Sequence, residues 1–360
     1  MKARLFVVDS NTIKSTLKSM EASVLVPDAK NKNGKAKFWN KTLLDIVCDL
    51  LQLSIGDYVF LWESGTENIY GVYRVLSHPY FVKQKNRNDI FRIKIGVAYD
   101  FSKPINEYEI INNPYMKSKL WNIIGKKVAG KARGTTPLTQ DESQFLIQAL
   151  IAANENYDYI EDYTEIPVKN EILFDFVNEY NAYIPDYVKD YKYKPIEIFE
   201  GSEVKYEKAL EGVLNCCFRD SKEEIIKHLD INVKKVVWFA NYLPYGLERS
   251  EIDYMVMESE DGENITKIDV IELMSGVIDE DHINRCLQYS KWVASSLTND
   301  KNIVRPILIC GRKSVGSKRG FNSTEIQDAL RKKPSEYGYK ELEVYTYART
   351  KSGIEFKKKE

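Results

Sequence analysis

Glu251-Ile-Asp-Tyr-Met-Val-Met-Glu-Ser259, Glu260-Asp-Gly-Glu-Asn264 and Ile265-Thr-Lys-Ile-Asp-Val-Ile-Glu-Leu-Met274 follow one another without a break. Two runs rich in β-branched and aromatic residues, separated by a polar break with Asp-Gly, predict a β-hairpin. With the turn centred near Gly262 and Glu263, antiparallel partners have residue numbers that sum to about 525, which sets Asp253 opposite Glu272. Directly opposed residues share a sheet face, and two carboxylates about 5 Å apart repel each other unless a cation lies between them. Hard oxygen donors suit magnesium, or manganese in its place. A plainer reading, the solvated face of an edge hairpin, also fits the pair taken alone.

The flanking segments supply a context. Residues 202–217 carry Val204, Tyr206, Leu210, Val213, Leu214 and Cys217 at a helical period of about 3.6, with Glu203, Glu207 and Glu211 on another flank. Residues 234–243 read as a strand entering the hairpin, and residues 281–297 as a second amphipathic helix. Residues 303–310 form an apolar strand. A strand, a helix and a strand in that order imply a crossover and a parallel pair. A last helix near 323–331 and a strand at 341–347 extend the sheet.

Helix, three meandering strands, helix, strand, with carboxylates on the second and third strands: this order resembles the PD-(D/E)xK nuclease superfamily over residues 202–347. The resemblance rests on Glu207, Asp253, the segment Ile271-Glu272-Leu273-Met274 and Tyr289. It implies a restriction-endonuclease-like mixed α/β core and a magnesium-dependent endodeoxyribonuclease. Asp253 and Glu272 would hold the metal and Glu207 would add a carboxylate from the preceding helix. The chain departs from the pattern where Met274 stands in place of the superfamily's lysine. It departs again in Arg285-Cys-Leu-Gln-Tyr289, where a cation replaces the Gln of a Gln-x-x-x-Tyr pattern. Arg285 reaching toward the site would act as an electrostatic clamp rather than a base. Glu203 and Glu211 rival Glu207, at i,i+4 spacing on the same face.

The first 154 residues read differently. Strand-like runs at 4–8, 57–62, 70–76 and 89–97 alternate with helices at 41–53 and 115–124. Gly56-Asp-Tyr-Val-Phe-Leu-Trp62 and Gly71-Val-Tyr-Arg-Val75, with Phe91-Arg-Ile-Lys-Ile95, Lys103-Pro-Ile105 and Ala132-Arg-Gly-Thr-Thr-Pro-Leu138, resemble the EVE-like branch of the PUA superfamily. That resemblance implies a small β-barrel with helices that holds a modified or flipped base. Stacking on aromatic faces and hydrogen bonds to the base edge are how such a site discriminates. Phe38, Trp39, Asn40 and Trp62 are the candidates for the base, and Lys126, Lys127, Lys131 and Arg133 for phosphate. Trp62 fits a core position on its strand equally well, and the lysine run fits a solvated loop.

Length and composition bound these readings. A chain of 360 residues with 43% hydrophobic residues is long enough for two cores. The expected organisation is a reader at 1–154, a connector rich in Asp, Glu, Asn and Tyr at 155–200, with a helical stretch at 172–183, and a nuclease domain at 201–360. The 52 basic residues are offset by 53 acidic ones, so nucleic-acid binding has to come from local clusters rather than net charge. Cys48, Cys216, Cys217, Cys286 and Cys310 form no Cys-x-x-Cys pair, which argues against a zinc ribbon or a disulfide framework. His78, His228 and His282 are too scattered for a histidine-based site. Gly311-Arg-Lys-Ser-Val-Gly-Ser-Lys318 lacks the Gly-Lys-Ser/Thr ending of a phosphate loop. No apolar run approaches the roughly 18 residues of a membrane span and no signal peptide precedes the first strand, so a cytoplasmic protein without membrane contact is expected.

Taken together, the two resemblances imply an enzyme that cuts double-stranded DNA carrying a modified base, acting as a homodimer to cut both strands. Three alternatives remain: a mismatch- or damage-directed repair nuclease, a reader whose core is silent, and an enzyme directed at RNA.

Overall fold

The computed structural model describes residues 2–24, 48–81, 91–99, 101–113, 122–123, 134–155, 199–200, 203–204, 207–245, 250–311, 317–350 and 353–359. The chain divides into two compact units, Met1–Lys192 and Tyr193–Glu360. Both are mixtures of helix and sheet.

In the first unit, β1 (Ala3–Asp9), β2 (Glu21–Val24), β3 (Tyr58–Ser64), β4 (Asn68–Val75), β5 (Tyr80–Phe81), β6 (Phe91–Val97), β7 (Ile105–Asn106) and β8 (Thr135–Leu138) make one sheet. The order is β2-β6-β4-β3-β1-β8, with β5 beside β6 and β7 beside β4. β1 and β3 run parallel, and β3 and β4 antiparallel. Among the described residues the terminal strands β2 and β8 do not pair with each other. The helices are α1 (Thr12–Ser19), α2 (Glu107–Asn112) and α3 (Gln140–Asn154). α3 lays Phe145, Leu146, Ala149 and Leu150 on a core that includes Leu5 and Phe60. It begins with a capping box in which Thr139 Oγ1 accepts from Glu142 N at 3.2 Å and Glu142 Oε2 accepts from Thr139 N at 2.8 Å.

In the second unit, β9 (Phe199–Glu200) and β10 (Glu203–Val204) form a short ladder ahead of α4 (Glu207–Arg219) and α5 (Glu223–Ile226). Then come β11 (Val236–Pro244), β12 (Glu251–Ser259), β13 (Ile265–Leu273), α6 (Glu280–Val293), β14 (Val304–Gly311), α7 (Thr324–Glu336), β15 (Glu343–Thr350) and β16 (Gly353–Lys358). The six strands lie side by side in sequence order, β11 through β16. The expected crossover is present: β13 and β14 are parallel, as are β14 and β15. Ile307, Leu308 and Ile309 of β14 are fully buried, each contributing about 1.5–3 kcal/mol relative to exposure.

The hairpin has the expected register. Tyr254 pairs with Ile271 and Met255 with Val270, so one step further along the ladder Asp253 faces Glu272. The turn is organised by Asp261, whose carboxylate accepts from Glu263 N at 2.9 Å and from Asn264 N at 2.8 Å, while Gly262 takes φ +84°.

Several boundaries differ from expectation. The helix expected over 202–217 starts at Glu207, because residues 203–204 are spent on the β10 ladder. The helix expected over 281–297 ends at Val293 and continues as a π-helical turn, Ala294–Thr298, closed by Asn299 at φ +58°. Among the helices α1, α2, α3 and α5 were not expected, nor was the strand β16. Of the expected helices at 41–53 and 115–124, only residues 48–53 and 122–123 are described; 48–51 and 122–123 are helical, and the first helix ends before residue 52. The helical stretch expected at 172–183 lies outside the described residues.

Candidate functional site

Asp253 and Glu272 are held by the pleat of β12 and β13. Tyr254 and Ile271, one position along, point to the opposite face, where Tyr254 OH donates to Asn215 Oδ1 of α4 at 2.9 Å. The carboxylate face instead receives α6, whose Arg285 Nη2 lies 2.8 Å from Glu272 Oε1. Leu273 N donates to Asp253 Oδ2 at 2.9 Å and so fixes that carboxylate across the strands. Glu272 is 3% exposed, and its second oxygen, Oε2, is buried with no hydrogen-bond partner among the described residues. A buried carboxylate oxygen without a donor is costly, which marks the point where a cation or proton belongs. Glu207 opens α4, and its Oε1 accepts from Ser275 N at 3.3 Å, just past the end of β13.

The charges of these groups act on one another. Burial, followed by the Glu211 and Glu207 carboxylates, pushes the Asp253 carboxyl up to about 7, against the opposing pull of Lys208 and of the Leu273 N–H. Burial and then Asp253 raise the Glu272 carboxyl well above the usual range, although Arg285 and Lys208 oppose the shift. Both raised carboxyls report the cost of bringing negative charges together in a poorly solvated place. Burial raises the Cys286 thiol well above its ordinary value, which leaves it a packing residue rather than a nucleophile.

Among the described residues no group of three or more His, Cys, Asp and Glu side chains is arranged to hold a metal ion. Asp253 and Glu272 are therefore a two-carboxylate site. Glu207 acts on it through its field and through Ser275. One or two carboxylates, completed by water and substrate phosphate, are the ordinary donor set for magnesium, and the orphaned Glu272 Oε2 fits it.

The sequence reading overlooked Lys208, Asn241 and Ser275, and ranked Glu211 only as a rival of Glu207. Glu211 is fully buried; it pairs with Lys208, and its Oε2 accepts from Asn241 Nδ2 at 2.8 Å. The other rival, Glu203, lies on β10 rather than on the helix. Met274 is 2% exposed, its backbone N bonded to Ile309 O at 2.9 Å, so the position at which the resemblance expects a lysine is filled by a core residue.

In the first unit, Trp62 sits on β3 across from Ile69, half-buried against the core that contains Phe60 and Leu150. Phe38, Trp39, Asn40, Lys126, Lys127, Lys131 and Arg133 lie outside the described residues, as does most of the basic stretch 311–318. A buried polar group here ties two strands to the helical residues at 48–51: Arg4 donates to Thr135 Oγ1, and Thr135 donates to Asp49 Oδ2 at 3.2 Å. Among the described residues no helix is long and apolar enough to cross a membrane.

No protein-family model matches this sequence, and no curated protein matches it. Solved structures similar to part of the chain include a hypothetical protein from Leishmania major, 11% identical with a TM-score of 0.30, over 42% of this chain and 96% of that one. Rpa0253 from Rhodopseudomonas palustris is 10% identical with a TM-score of 0.29, over 44% of this chain and 97% of that one. Human THYN1, solved in complex with DNA containing 5-methylcytosine, is 11% identical with a TM-score of 0.26, over 42% of this chain and 98% of that one.

Proposed function

We propose that this chain is a modification-dependent DNA endonuclease, with an EVE-like, PUA-type reader in the first unit and a PD-(D/E)xK-type hydrolytic core in the second. The observation that carries the hydrolytic half is the opposition of Asp253 and Glu272, with one buried Glu272 oxygen lacking a partner. The reader half follows from the sequence resemblance and from base-holding sites built on aromatic residues.

Asp253 and Glu272 would hold magnesium or manganese. Bound there, the metal supplies a Lewis acid for a phosphoryl oxygen and lowers the pKa of its water. The chain's own groups do the rest. Leu273 N–H holds the Asp253 carboxylate in place across the two strands. Arg285 neutralises Glu272 from the solvent side, where its side chain is 47% exposed and within reach of a phosphate. The substrate would be double-stranded DNA carrying a modified base, and cutting both strands would take two copies of the chain.

The test is incubation with magnesium or manganese and matched phage DNAs, either unmodified or carrying 5-methylcytosine, hydroxymethylcytosine or glucosylated hydroxymethylcytosine, beside a mismatched duplex. Cutting restricted to one modified DNA supports the reading. Cutting of the mismatched duplex alone would make the protein a repair nuclease. A second reading, a reader with a silent core, is favoured by the burial of Met274 where the superfamily has lysine. It expects tight binding to one modified DNA and no metal-dependent product.

A further inference from the structure

Arg285, Tyr289 and Trp292 follow one another along α6 at spacings of four and three residues, which puts them on one face of the helix. Tyr245, the residue after β11, closes on that face. Its ring centre lies 4.8 Å from that of Tyr289, tilted by 56°, and 5.7 Å from that of Trp292, edge to face at 70°. Tyr245 N donates to Ser250 O at 3.1 Å, and Tyr289 shares a side-chain hydrogen bond with Ser250, so the rings are tied to the end of the β11–β12 pair from two sides. Tyr289 is 4% exposed, whereas Tyr245 and Trp292 are half-buried. Tilted and edge-to-face packing fixes the two outer rings at set angles over a buried third.

The trio stands at the carboxylate end of the sheet. Pro244 pairs with Glu251 and Leu243 with Ile252, so Ser250, bonded to Tyr245, comes three residues before Asp253 on the same strand, about 10 Å away by the rise of a strand. On the helix side, Arg285 lies 2.8 Å from Glu272 Oε1, and Trp292 is seven residues further on, about 10 Å by the rise of a helix. Arg285 is half-exposed and Lys291 exposed, so two cations border the rings. That combination suits a polyanion with flat apolar parts better than an acidic or a purely apolar partner. An unpaired base stacks on aromatic rings through its π-face while the phosphates on either side meet the cations. In a perfect duplex the base faces are already covered by their neighbours.

We propose that Tyr245 and Trp292 form a stacking platform for an unpaired nucleobase of the strand held at Asp253 and Glu272, so that the second unit acts on DNA opened beside the cut. The proposal rests on the reading of this unit as a phosphodiester hydrolase and adds the state of its substrate, a bulged or frayed strand in place of an intact helix. The platform makes and breaks no bond. It grips the strand equally before and during the reaction, so its loss weakens binding and leaves the cutting of bound DNA alone.

The test uses the full chain and one DNA sequence in two forms, a perfect duplex and the same duplex with a single bulged 5-iodouracil. Affinity is read by fluorescence anisotropy in calcium, and the residue that cross-links to the iodouracil on irradiation is identified by mass spectrometry. Wild type is expected to bind the bulged form about tenfold more tightly, the scale of one stacked base, and to cross-link through Tyr245 or Trp292. Tyr245→Leu and Trp292→Leu keep apolar volume but remove the π-face; they should erase the preference and leave affinity for the perfect duplex within about threefold. Trp292→Phe should keep most of the preference, and it decides the matter if a leucine variant fails to fold. Equal affinity of wild type for the two forms, a preference that survives both leucine variants, or a cross-link elsewhere in the chain overturns the platform. Asp253→Asn should keep the preference for the bulge and lose magnesium-dependent cutting; if it cuts at the wild-type rate, the reading of the second unit as a hydrolase at these carboxylates falls, whatever the cross-link shows.

Discussion

Asp253 gives up its proton near pH 7 rather than at its ordinary 3.8, because burial and the Glu211 carboxylate both work against the charged form. An acid whose pKa is raised on folding draws protons into the native state. Its stabilising effect is therefore complete below the unfolded value and is lost as pH rises from about 4 through about 7. Asp253→Asn removes that penalty, so the variant should melt about 3 °C or more above wild type at pH 8 and close to it at pH 4.5, by thermal denaturation at both pH values. A variant that melts lower than wild type at pH 8 would mean that the carboxylate is not under strain. Asp253 and Glu272 were legible in the sequence because a hairpin register is a local property that two strands and a turn determine. Lys208 was not, because its neighbours Glu211 and Asn241 come together only when α4 packs on the sheet, and a lysine in an amphipathic helix reads as solvated.

At the level of elements, the turn at residues 260–264 does the most to keep the site in register. Gly262 takes φ +84° with open space around it, so an added methyl meets no clash and only the backbone conformation opposes it. Gly262→Ala should cost about 1 kcal/mol of stability, read as a shift in the denaturant midpoint with an unchanged slope. A loss of cutting larger than the loss of folded protein would show that the turn also sets the spacing of the carboxylates. The succession of the first five strands was readable because period-2 and period-3.6 runs alternate through residues 236–350. α3 was missed although Thr139-Gln-Asp-Glu142 spells out its capping box, since its buried face is so wide that apolar residues recur without a clear stripe. β16 was missed because Gly353-Ile-Glu-Phe-Lys-Lys358 ends in charge and resembles a tail.

For the molecule as a whole, the proposed function puts binding and chemistry in different units, so under that proposal they should separate under mutation. Asp253→Ala and Glu272→Ala are expected to abolish cutting while leaving affinity for the modified DNA within about threefold, measured by fluorescence anisotropy in calcium. Equal losses of both would tie recognition to the hydrolytic core. Two units were expected, with a connector over residues 155–200, and the chain divides at residues 192–193, inside the stretch where periodicity gives no boundary; the base-holding residues proposed around Trp39 lie outside the described residues. The sheet of the second unit also has consequences in a crowded solution. β11 is broken by a register shift between Val236 and Trp238, and β16 carries Lys357 and Lys358, both exposed, with Lys358 paired to Glu343 at 3.1 Å. A kinked strand at one border and a lysine-bearing strand at the other resist the strand-to-strand stacking that turns open sheets into fibres. Under the proposed function, two copies meeting on one duplex would thus join through helices or loops, and this sheet could be crowded together without polymerising.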